Sequence, residues 1–230
     1  MTRPATCACN PARTTSTSGS SGTPPGYCPR YAVPDEEVDA MSLAAERLAG
    51  WPELLRMWQT LDLPHGWRAE ITEGGIAVTP SPDHDHKAIA HLVHKALIKG
   101  IPDEWAVYQT HGLRIAGAHK VFIPDLVVAP EDAPVEADDR LLLSTHALLV
   151  VEITSASNPL PDRTTKKDAY ASGGVGIYVL IDRWHEPKAR VTVFSDPVDG
   201  AYQRSTTTPF GETVDLPEPI GLALDTGRFG

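Results

Sequence analysis

The sequence predicts an α/β domain with a central mixed β-sheet flanked by helices and a C-terminal β-meander. Three observations predict this class. Runs rich in Val, Ile and Leu, of the length of buried strands, occupy residues 123–128, 148–154 and 177–182. Helix-like segments at 82–99 and 162–170 alternate with such runs, as in an α/β fold. The rest of the chain after these runs contains only short strand-like segments separated by turn residues.

The individual elements follow from local signals. A Gly-Trp-Pro sequence at 50–52 separates two helix-prone segments. Glu73-Gly74 and Asp199-Gly200 have the residue types of hairpin turns, and Asp83 can cap the helix that begins near it. We therefore predict helices at 42–49, 53–60, 82–99 and 162–170, and strands, besides the three apolar runs, at 67–72, 75–79, 105–109, 113–116, 120–122, 190–194, 201–205 and 212–214.

Length and composition predict one domain at residues 41–230 and a disordered tail at residues 1–40. Of the 230 residues, 41% are hydrophobic, which is enough to bury a core. Ser, Thr, Pro and Gly dominate the tail, and no apolar period appears in it. Met41 opens a helix-like segment directly after the tail, so we interpret the tail as an extension upstream of the natural start.

The cysteines and the apolar runs indicate a protein of the reducing cytoplasm. Cys7, Cys9 and Cys28 all lie in the tail, and an odd number there argues against a disulfide framework. No second pair of ligands completes a zinc site with them. The apolar runs are far shorter than the ~20 residues of a membrane span, and the N-terminus lacks the pattern of a secretory signal.

The net charge of −10 bears on nucleic-acid binding, because contacts with phosphates dominate that affinity. An acidic protein can still bind DNA through a local basic patch. Arg163, Lys166 and Lys167 are candidates for such a patch. We therefore expect weak, salt-sensitive binding of DNA rather than tight non-specific binding.

Two carboxylates and a lysine form the pattern that carries chemistry. Asp125 and Glu152 each adjoin an apolar strand-like run. Mg²⁺ prefers one or two carboxylates, several waters and a substrate phosphate, and it activates water for phosphodiester hydrolysis. Asp162, Lys166 and Tyr170 recur every four residues, so they share one helix face. Taken singly, an acid at a strand end is more often a cap, and a lysine on a helix more often faces solvent.

The chain after residue 60 resembles the Uma-type putative restriction endonuclease family of the PD-(D/E)XK nuclease superfamily. The resemblance implies a restriction-endonuclease-like fold and a Mg²⁺-dependent endonuclease that cuts DNA, with Mn²⁺ as an alternative metal. The residues that carry it are Leu63-Pro64-His65-Gly66-Trp67-Arg68-Ala69-Glu70-Ile71, Gly74, Pro80-Ser81-Pro82, His86, Pro124-Asp125-Leu126-Val127-Val128, Val151-Glu152-Ile153-Thr154-Ser155, Asp162-Arg163, Lys166, Tyr170, Gly174-Val175, Tyr178 and Asp182.

Carried over by resemblance, Asp125 and Glu152 are metal ligands, together with the carbonyl of Ile153. Lys166 is then the catalytic lysine, moved from the strand to the following helix. This sequence departs from the superfamily's usual acid-x-lysine, because Thr154 stands two residues after Glu152. It also has Val179 where the family often has Trp.

The resemblance assigns supporting roles to further residues. Glu70 is an auxiliary acid of the site. An equal alternative is that Glu70 is simply an exposed carboxylate on a strand. His86 positions Glu70 or the substrate. Independently of the resemblance, we predict that Arg163, Lys167 and Tyr170 bind the substrate.

A cluster of histidines offers a different reading, that of a zinc hydrolase. We favour a solvated or phosphate-facing surface, because two of them fall beside lysines on the polar side of their helix and the other two lie at its start. The cluster comprises His84, His86, His91 and His94.

The sequence leaves two further questions open. A nucleic-acid- or partner-binding module that keeps the fold without cleavage is the alternative function, which the missing strand lysine and the acidic balance favour. The oligomeric state is open as well, with a homodimer as one candidate. For Asp125→Ala we expect lost cleavage with stability intact or raised, because removing one of two neighbouring acids relieves their repulsion.

Overall fold

The computed structural model of the protein describes residues 50–136, 141–156 and 159–230. The tail predicted at 1–40, the start predicted at Met41, the helix predicted at 42–49 and the three cysteines lie outside the described residues. Every described helix is too short or too polar to cross a membrane.

The fold is mixed α/β, as predicted, with few helices and two six-stranded mixed sheets. The first sheet has the strand order β2-β1-β5-β4-β8-β7, the second has the order β12-β11-β10-β9-β6-β3, and β13 pairs with β14 alone. The helices are α1 (Trp51–Thr60), α2 (His84–Gly100), α3 (Leu160–Arg163) and α4 (Thr165–Ser172). The strands are β1 (Arg68–Thr72), β2 (Gly75–Thr79), β3 (Trp105–Gln109), β4 (Gly112–Arg114), β5 (Val121–Phe122), β6 (Leu126–Pro130), β7 (Val135–Glu136), β8 (Leu141–Leu143), β9 (Leu149–Ile153), β10 (Ile177–Asp182), β11 (Arg190–Val198), β12 (Ala201–Pro209), β13 (Thr213–Leu216) and β14 (Leu222–Asp225).

The division into two sheets differs from the single central sheet that the sequence predicts. The reason lies between β5 and β6, which are separated by only three residues, 123–125, yet belong to different sheets. Pro124 has no backbone N–H to give to a strand pair, and it stands at this crossing. The hairpin of β1 and β2 therefore continues into the first sheet through β5, while β6 enters the second.

The predicted meander is present in part. β10, β11 and β12 follow one another as antiparallel neighbours at one side of the second sheet. The β11–β12 turn at Asp199-Gly200 has positive φ angles of 50° and 78°, which suit a hairpin turn. The third predicted strand instead pairs with β14 in a separate hairpin.

Helix α2 covers one face of the second sheet. It begins after Asp83, whose carboxylate accepts a hydrogen bond from the backbone N–H of His86 at 2.8 Å. Ile89, Val93 and Leu97, spaced four apart, form its buried face against β6 and β9. The opposite face of the sheet is covered by α4 and by residues of the first sheet.

The strands β9 and β10 are buried along their whole length. Both of their faces are covered, which explains why they read as continuous apolar runs rather than alternating ones. In the antiparallel register of β6 and β9, Leu126 lies opposite Val151. Asp125 and Glu152 are the next residues outward, so the fold brings these two acids to the same edge and face of the sheet.

Candidate active site

Asp125 is 5% exposed and lies where the chain enters the second sheet. Its Oδ1 accepts a hydrogen bond from Nη1 of Arg68, and its Oδ2 accepts one from the backbone N–H of Ile153, both at 2.9 Å. Burial by itself would raise the pKa of Asp125, but His86, Arg68 and the N–H of Ile153 together hold that pKa below its ordinary value. Asp125 is therefore held as an anion by groups of the protein itself.

His86 lies beside Asp125, with Nε2 at 2.9 Å from Oδ1. The two atoms are not aligned for a hydrogen bond, and among the described residues this Nε2 is the one buried side-chain polar atom without a hydrogen-bond partner. The sequence predicted that His86 positions Glu70 or the substrate. The structure instead places the imidazole, 4% exposed, against Asp125.

Glu152 is 3% exposed, and its Oε1 accepts two hydrogen bonds. One comes from Nζ of Lys166 at 3.0 Å and the other from the hydroxyl of Tyr170 at 2.6 Å. Burial raises the pKa of Glu152 well above its ordinary value, and the charges of Asp162 and Asp125 raise it further, although Lys166 opposes them. Glu152 is therefore the acid of the cluster that most readily keeps a proton.

The ammonium group of Lys166 is central to the cluster. Its Nζ lies 3.0 Å from Oε1 of Glu70, 3.0 Å from Oε1 of Glu152 and 3.4 Å from Oδ1 of Asp162. Burial by itself would lower the pKa of Lys166, but the three acids raise it well above its ordinary value. Lys166 is therefore charged, and three acids surround this one ammonium.

Glu70 and Asp162 reach the cluster from opposite sides. Glu70, on β1, also accepts a hydrogen bond from the backbone N–H of Ile123 at 2.8 Å, which links the first sheet to the crossing. Asp162, on α3, is 8% exposed, and burial raises its pKa above the ordinary value. Its backbone carbonyl accepts a hydrogen bond from the hydroxyl of Tyr178 at 2.8 Å.

The basic patch predicted from Arg163, Lys166 and Lys167 does not form. Arg163 donates two hydrogen bonds of 2.8 Å to the carboxylate of Asp182, and Lys167 pairs with Asp168 at 3.2 Å. Lys166 points into the acidic cluster instead. The reason is that the three residues do not lie on one continuous helix. Arg163 ends the four-residue helix α3, and Lys166 and Lys167 belong to α4, which begins at Thr165.

Tyr170 also differs from its predicted role in substrate binding. Its side chain is fully buried, and its hydroxyl binds Glu152 rather than facing the solvent. Burial raises the pKa of Tyr170 well above its ordinary value, so the hydroxyl stays protonated and remains a hydrogen-bond donor. Tyr170 therefore positions Glu152.

Arg68 is a site residue that the sequence reading did not assign. It lies two residues before Glu70 on β1, so both side chains project from the same face of the strand. That spacing is the signal in the sequence that could have identified it. Its position next to Asp125, 57 residues along the chain, could not be read from the spacing.

The structure does not support the zinc alternative. His94 contacts Gln109, His84 and His91 are exposed, and only His86 lies at the acidic cluster. Within residues 50–136, 141–156 and 159–230, no three His, Cys, Asp or Glu side chains are placed to hold a metal ion together.

The same finding limits what kind of metal site the acids can form. Mg²⁺ needs only one or two protein carboxylates, because waters and substrate phosphates complete its shell. Asp125 and Glu152 offer hard oxygen atoms at one edge of the sheet, and the buried ammonium of Lys166 is a cation already surrounded by three acids. The described residues fit Mg²⁺ as a two-carboxylate site and not as a preformed protein cage.

The pKa of Glu152 leads to a prediction about stability. Because its folded pKa is raised, the folded protein holds a proton that the unfolded chain releases, and stability is lost as pH rises from about 4.5 toward the folded pKa. Glu152→Gln, which keeps an oxygen for Lys166 and Tyr170, should remove this loss. We expect the melting temperature of the variant relative to wild type to rise between pH 5 and pH 8, measured by calorimetry. A constant difference across this range would contradict the raised pKa.

Comparison with known proteins agrees with this architecture. A family model described as "Putative restriction endonuclease", Uma2, matches residues 51–227. The crystal structure of a putative nuclease from Anabaena variabilis is similar, with a TM-score of 0.61 at 18% sequence identity, over 79% of this chain and 98% of that one. At this identity the likeness shows a shared fold. Among curated proteins, none matches the chain significantly. Because the family model covers more than half of the sequence, the chain belongs to the Uma2 family of putative restriction endonucleases.

Proposed function

We propose that the protein is a Mg²⁺-dependent endonuclease that hydrolyses phosphodiester bonds of DNA on a restriction-endonuclease-like fold. One observation carries the proposal. Two carboxylates, Asp125 and Glu152, are buried side by side at one sheet edge, with the ammonium of Lys166 3.0 Å from Glu152. Membership of the Uma2 family supports it.

Asp125 and Glu152 would hold Mg²⁺ or Mn²⁺, with the carbonyl of Ile153 as a further ligand. When bound, the metal would lower the pKa of a coordinated water and stabilise negative charge on the phosphate. Tyr170 keeps Glu152 oriented through its hydrogen bond of 2.6 Å. Arg68 balances the charge of Asp125 and fixes its Oδ1.

Lys166 would orient the attacking water or stabilise charge that develops on the phosphate. Its ammonium has three hydrogens. Glu70 and Glu152 accept hydrogen bonds from it at 3.0 Å, and Asp162 forms an ion pair with it at 3.4 Å. With Glu152 as a ligand of the metal, the hydrogen of Lys166 that now faces Glu152 would be available to the water. Glu70 and Asp162 would then keep the ammonium charged and in place.

The test of this proposal uses Glu152→Gln, because glutamine keeps an acceptor oxygen for both partners and removes the anionic charge. We expect Mg²⁺ and Mn²⁺ binding, measured by calorimetry, to be lost in the variant. Cleavage of plasmid and linear DNA should fall by at least about 100-fold. Glu73→Gln is the matched control, since it removes a largely exposed carboxylate that pairs with Lys120 on the surface.

Full metal binding and cleavage in a folded Glu152→Gln variant would contradict the site. The second candidate function is a binding module without cleavage. It is favoured by the observation that Arg68 and Lys166 already neutralise Asp125 and part of the acidic cluster. It predicts DNA or partner binding that persists in EDTA, with no cleavage by wild type in Mg²⁺ or Mn²⁺.

A further inference from the structure

A pocket of about 330 Å³ lies between the start of α2, the loop after β10 and the residues that follow β14. Its walls combine aromatic rings with guanidinium groups. Trp184, Phe210 and Phe229 supply the rings, and Arg183 and Arg228 supply the guanidinium groups. No residue of the acidic cluster lines it.

The pocket lies at the same sheet edge as the candidate active site, on the face that α2 covers. Arg183 directly follows Asp182, whose carboxylate is 3.3 Å from the hydroxyl of Thr154, two residues beyond Glu152. Asp85 lines the pocket, and the next residue along α2, His86, contacts Asp125. Asp125 and Glu152 project from the opposite face of the sheet, on the side of Val127 and Val150, so a strand of nucleic acid at the acidic cluster reaches the pocket by passing around this edge.

Trp184 gives the pocket a stacking surface. The side chain is 46% exposed, which is unusual for so large an apolar group, and the guanidinium of Arg183 lies 5.5 Å from its ring centre. Arg183 itself is held in place by two hydrogen bonds of 3.0 and 2.9 Å to Asp83. Phe210 and Phe229 meet edge to face at 5.5 Å and form an apolar wall.

Arg228 gives the pocket a free positive charge. It is exposed, and it has no ion-pair partner within the described ranges, whereas Arg183 is paired with Asp83 and Asp85. Aromatic walls beside an unpaired guanidinium are suited to a flat aromatic group that carries a negative charge. The volume lies near the lower end of the range of about 300–1,000 Å³ for small-molecule sites, which suits one nucleotide.

We propose that this pocket binds one unpaired nucleobase of the nucleic-acid substrate, with the adjoining phosphate on Arg228. The base stacks on Trp184 and packs against the phenylalanine wall. This inference rests on the proposed function, because the bound base belongs to the nucleic-acid strand that the acidic cluster cuts. Base stacking on aromatic side chains is tolerant of sequence, so the pocket selects an unpaired base rather than a particular one.

The test measures binding of a short, fluorescently labelled oligothymidylate in EDTA, where cleavage cannot contribute. We expect Trp184→Ala to weaken binding by roughly 5- to 150-fold. Trp67→Ala is the matched control, because Trp67 is 43% exposed and belongs to the first-sheet hairpin region rather than to the pocket. Arg228→Ala should weaken binding and reduce the slope of log affinity against log salt by about 0.7, the loss of one phosphate contact to a single strand.

A second probe separates stacking from general effects on the protein. Wild type should bind an abasic oligonucleotide of the same length as weakly as Trp184→Ala binds oligothymidylate. Trp184→Ala should bind the abasic oligonucleotide no more weakly than it binds oligothymidylate. Equal affinities of Trp184→Ala and Trp67→Ala for oligothymidylate would overturn the proposal, as would no binding by wild type. Melting temperatures confirm that both variants are folded.

The two proposals fail in different ways. If the pocket proposal alone is wrong, wild type cleaves DNA while Trp184→Ala binds as tightly as Trp67→Ala. If the nuclease proposal alone is wrong, wild type leaves DNA intact in Mg²⁺ and Mn²⁺, and oligothymidylate binding still depends on Trp184 and on the bases.

Discussion

Replacing Lys166 with methionine is expected to lower the free energy of unfolding by about 3 to 5 kcal/mol at neutral pH. The ammonium lies within 3.4 Å of Glu70, Glu152 and Asp162, and the lysine is only 9% exposed. Methionine fills a similar volume but leaves these acids without a cation. Urea denaturation of wild type and variant measures the difference.

The neighbouring lysine provides a matched control. The side chain of Lys167 is 33% exposed, pairs with Asp168 at the surface and lies 6.0 Å from the ring centre of Phe194, so Lys167→Met should change stability by no more than about 0.5 kcal/mol. The loss in Lys166→Met should also shrink toward pH 5. Lys166 opposes the raised pKa values of Glu152 and Asp162, so without the ammonium these two values rise further, and protonation at low pH restores stability that is lost as pH rises. Equal losses for both lysine variants would contradict the buried ion cluster.

Asp125→Ala is expected to lower the free energy of unfolding by about 3 to 5 kcal/mol at neutral pH. The sequence suggested the opposite, because two neighbouring acids repel each other. The structure favours a loss instead, since Asp125 is paired with the largely buried Arg68 and accepts a hydrogen bond from Ile153. Alanine would leave the N–H of Ile153 without this acceptor and the Arg68 guanidinium without its carboxylate, with only a long hydrogen bond of 3.4 Å to the carbonyl of Ile123. Denaturant titration at pH 7 measures the effect.

The pH dependence and a second substitution test the cause. The folded pKa of Asp125 is lowered, so its contribution is present above the unfolded value near 3.8 and is lost as pH falls through the folded pKa. Adding Arg68→Met to Asp125→Ala should recover part of the loss, because the unpaired guanidinium is removed. Arg204→Ala, which breaks an exposed pair with Asp196, is the control and should cost no more than about 0.5 kcal/mol. A stability for Asp125→Ala equal to that of wild type would restore the repulsion argument.

The core of the second sheet could be predicted from the sequence because its signals are local. β6, β9 and β10 are apolar runs of strand length, and the acids that adjoin two of them come together at one edge. Lys166 and Tyr170 are four residues apart on one helix, and both side chains reach Glu152. Strand runs and helical spacing therefore suffice to identify the central part of the candidate site.

The remainder depends on contacts between distant parts of the chain. Strands β4, β5 and β8 have two or three residues each, too few to show a period, so the first sheet could not be separated from the second. The partners of Arg163 and Arg68 lie 19 and 57 residues away. Composition suggests that arginines such as these are free to bind phosphate. Only the tertiary structure shows that Arg163 pairs with Asp182 and Arg68 with Asp125.

The three-residue crossing at 123–125 makes the candidate site depend on both sheets at once. Glu70 on β1 accepts the N–H of Ile123, while Arg68 on the same strand donates to Asp125. Hydrogen exchange at the backbone amide of Ile123 should therefore report whether the candidate site is intact. Protection of Ile123 would be lost in any partly unfolded state in which the first sheet opens, even with the second sheet intact. The candidate site would then disappear before the protein as a whole unfolds, so the opening of the site and global unfolding would have separate denaturation midpoints.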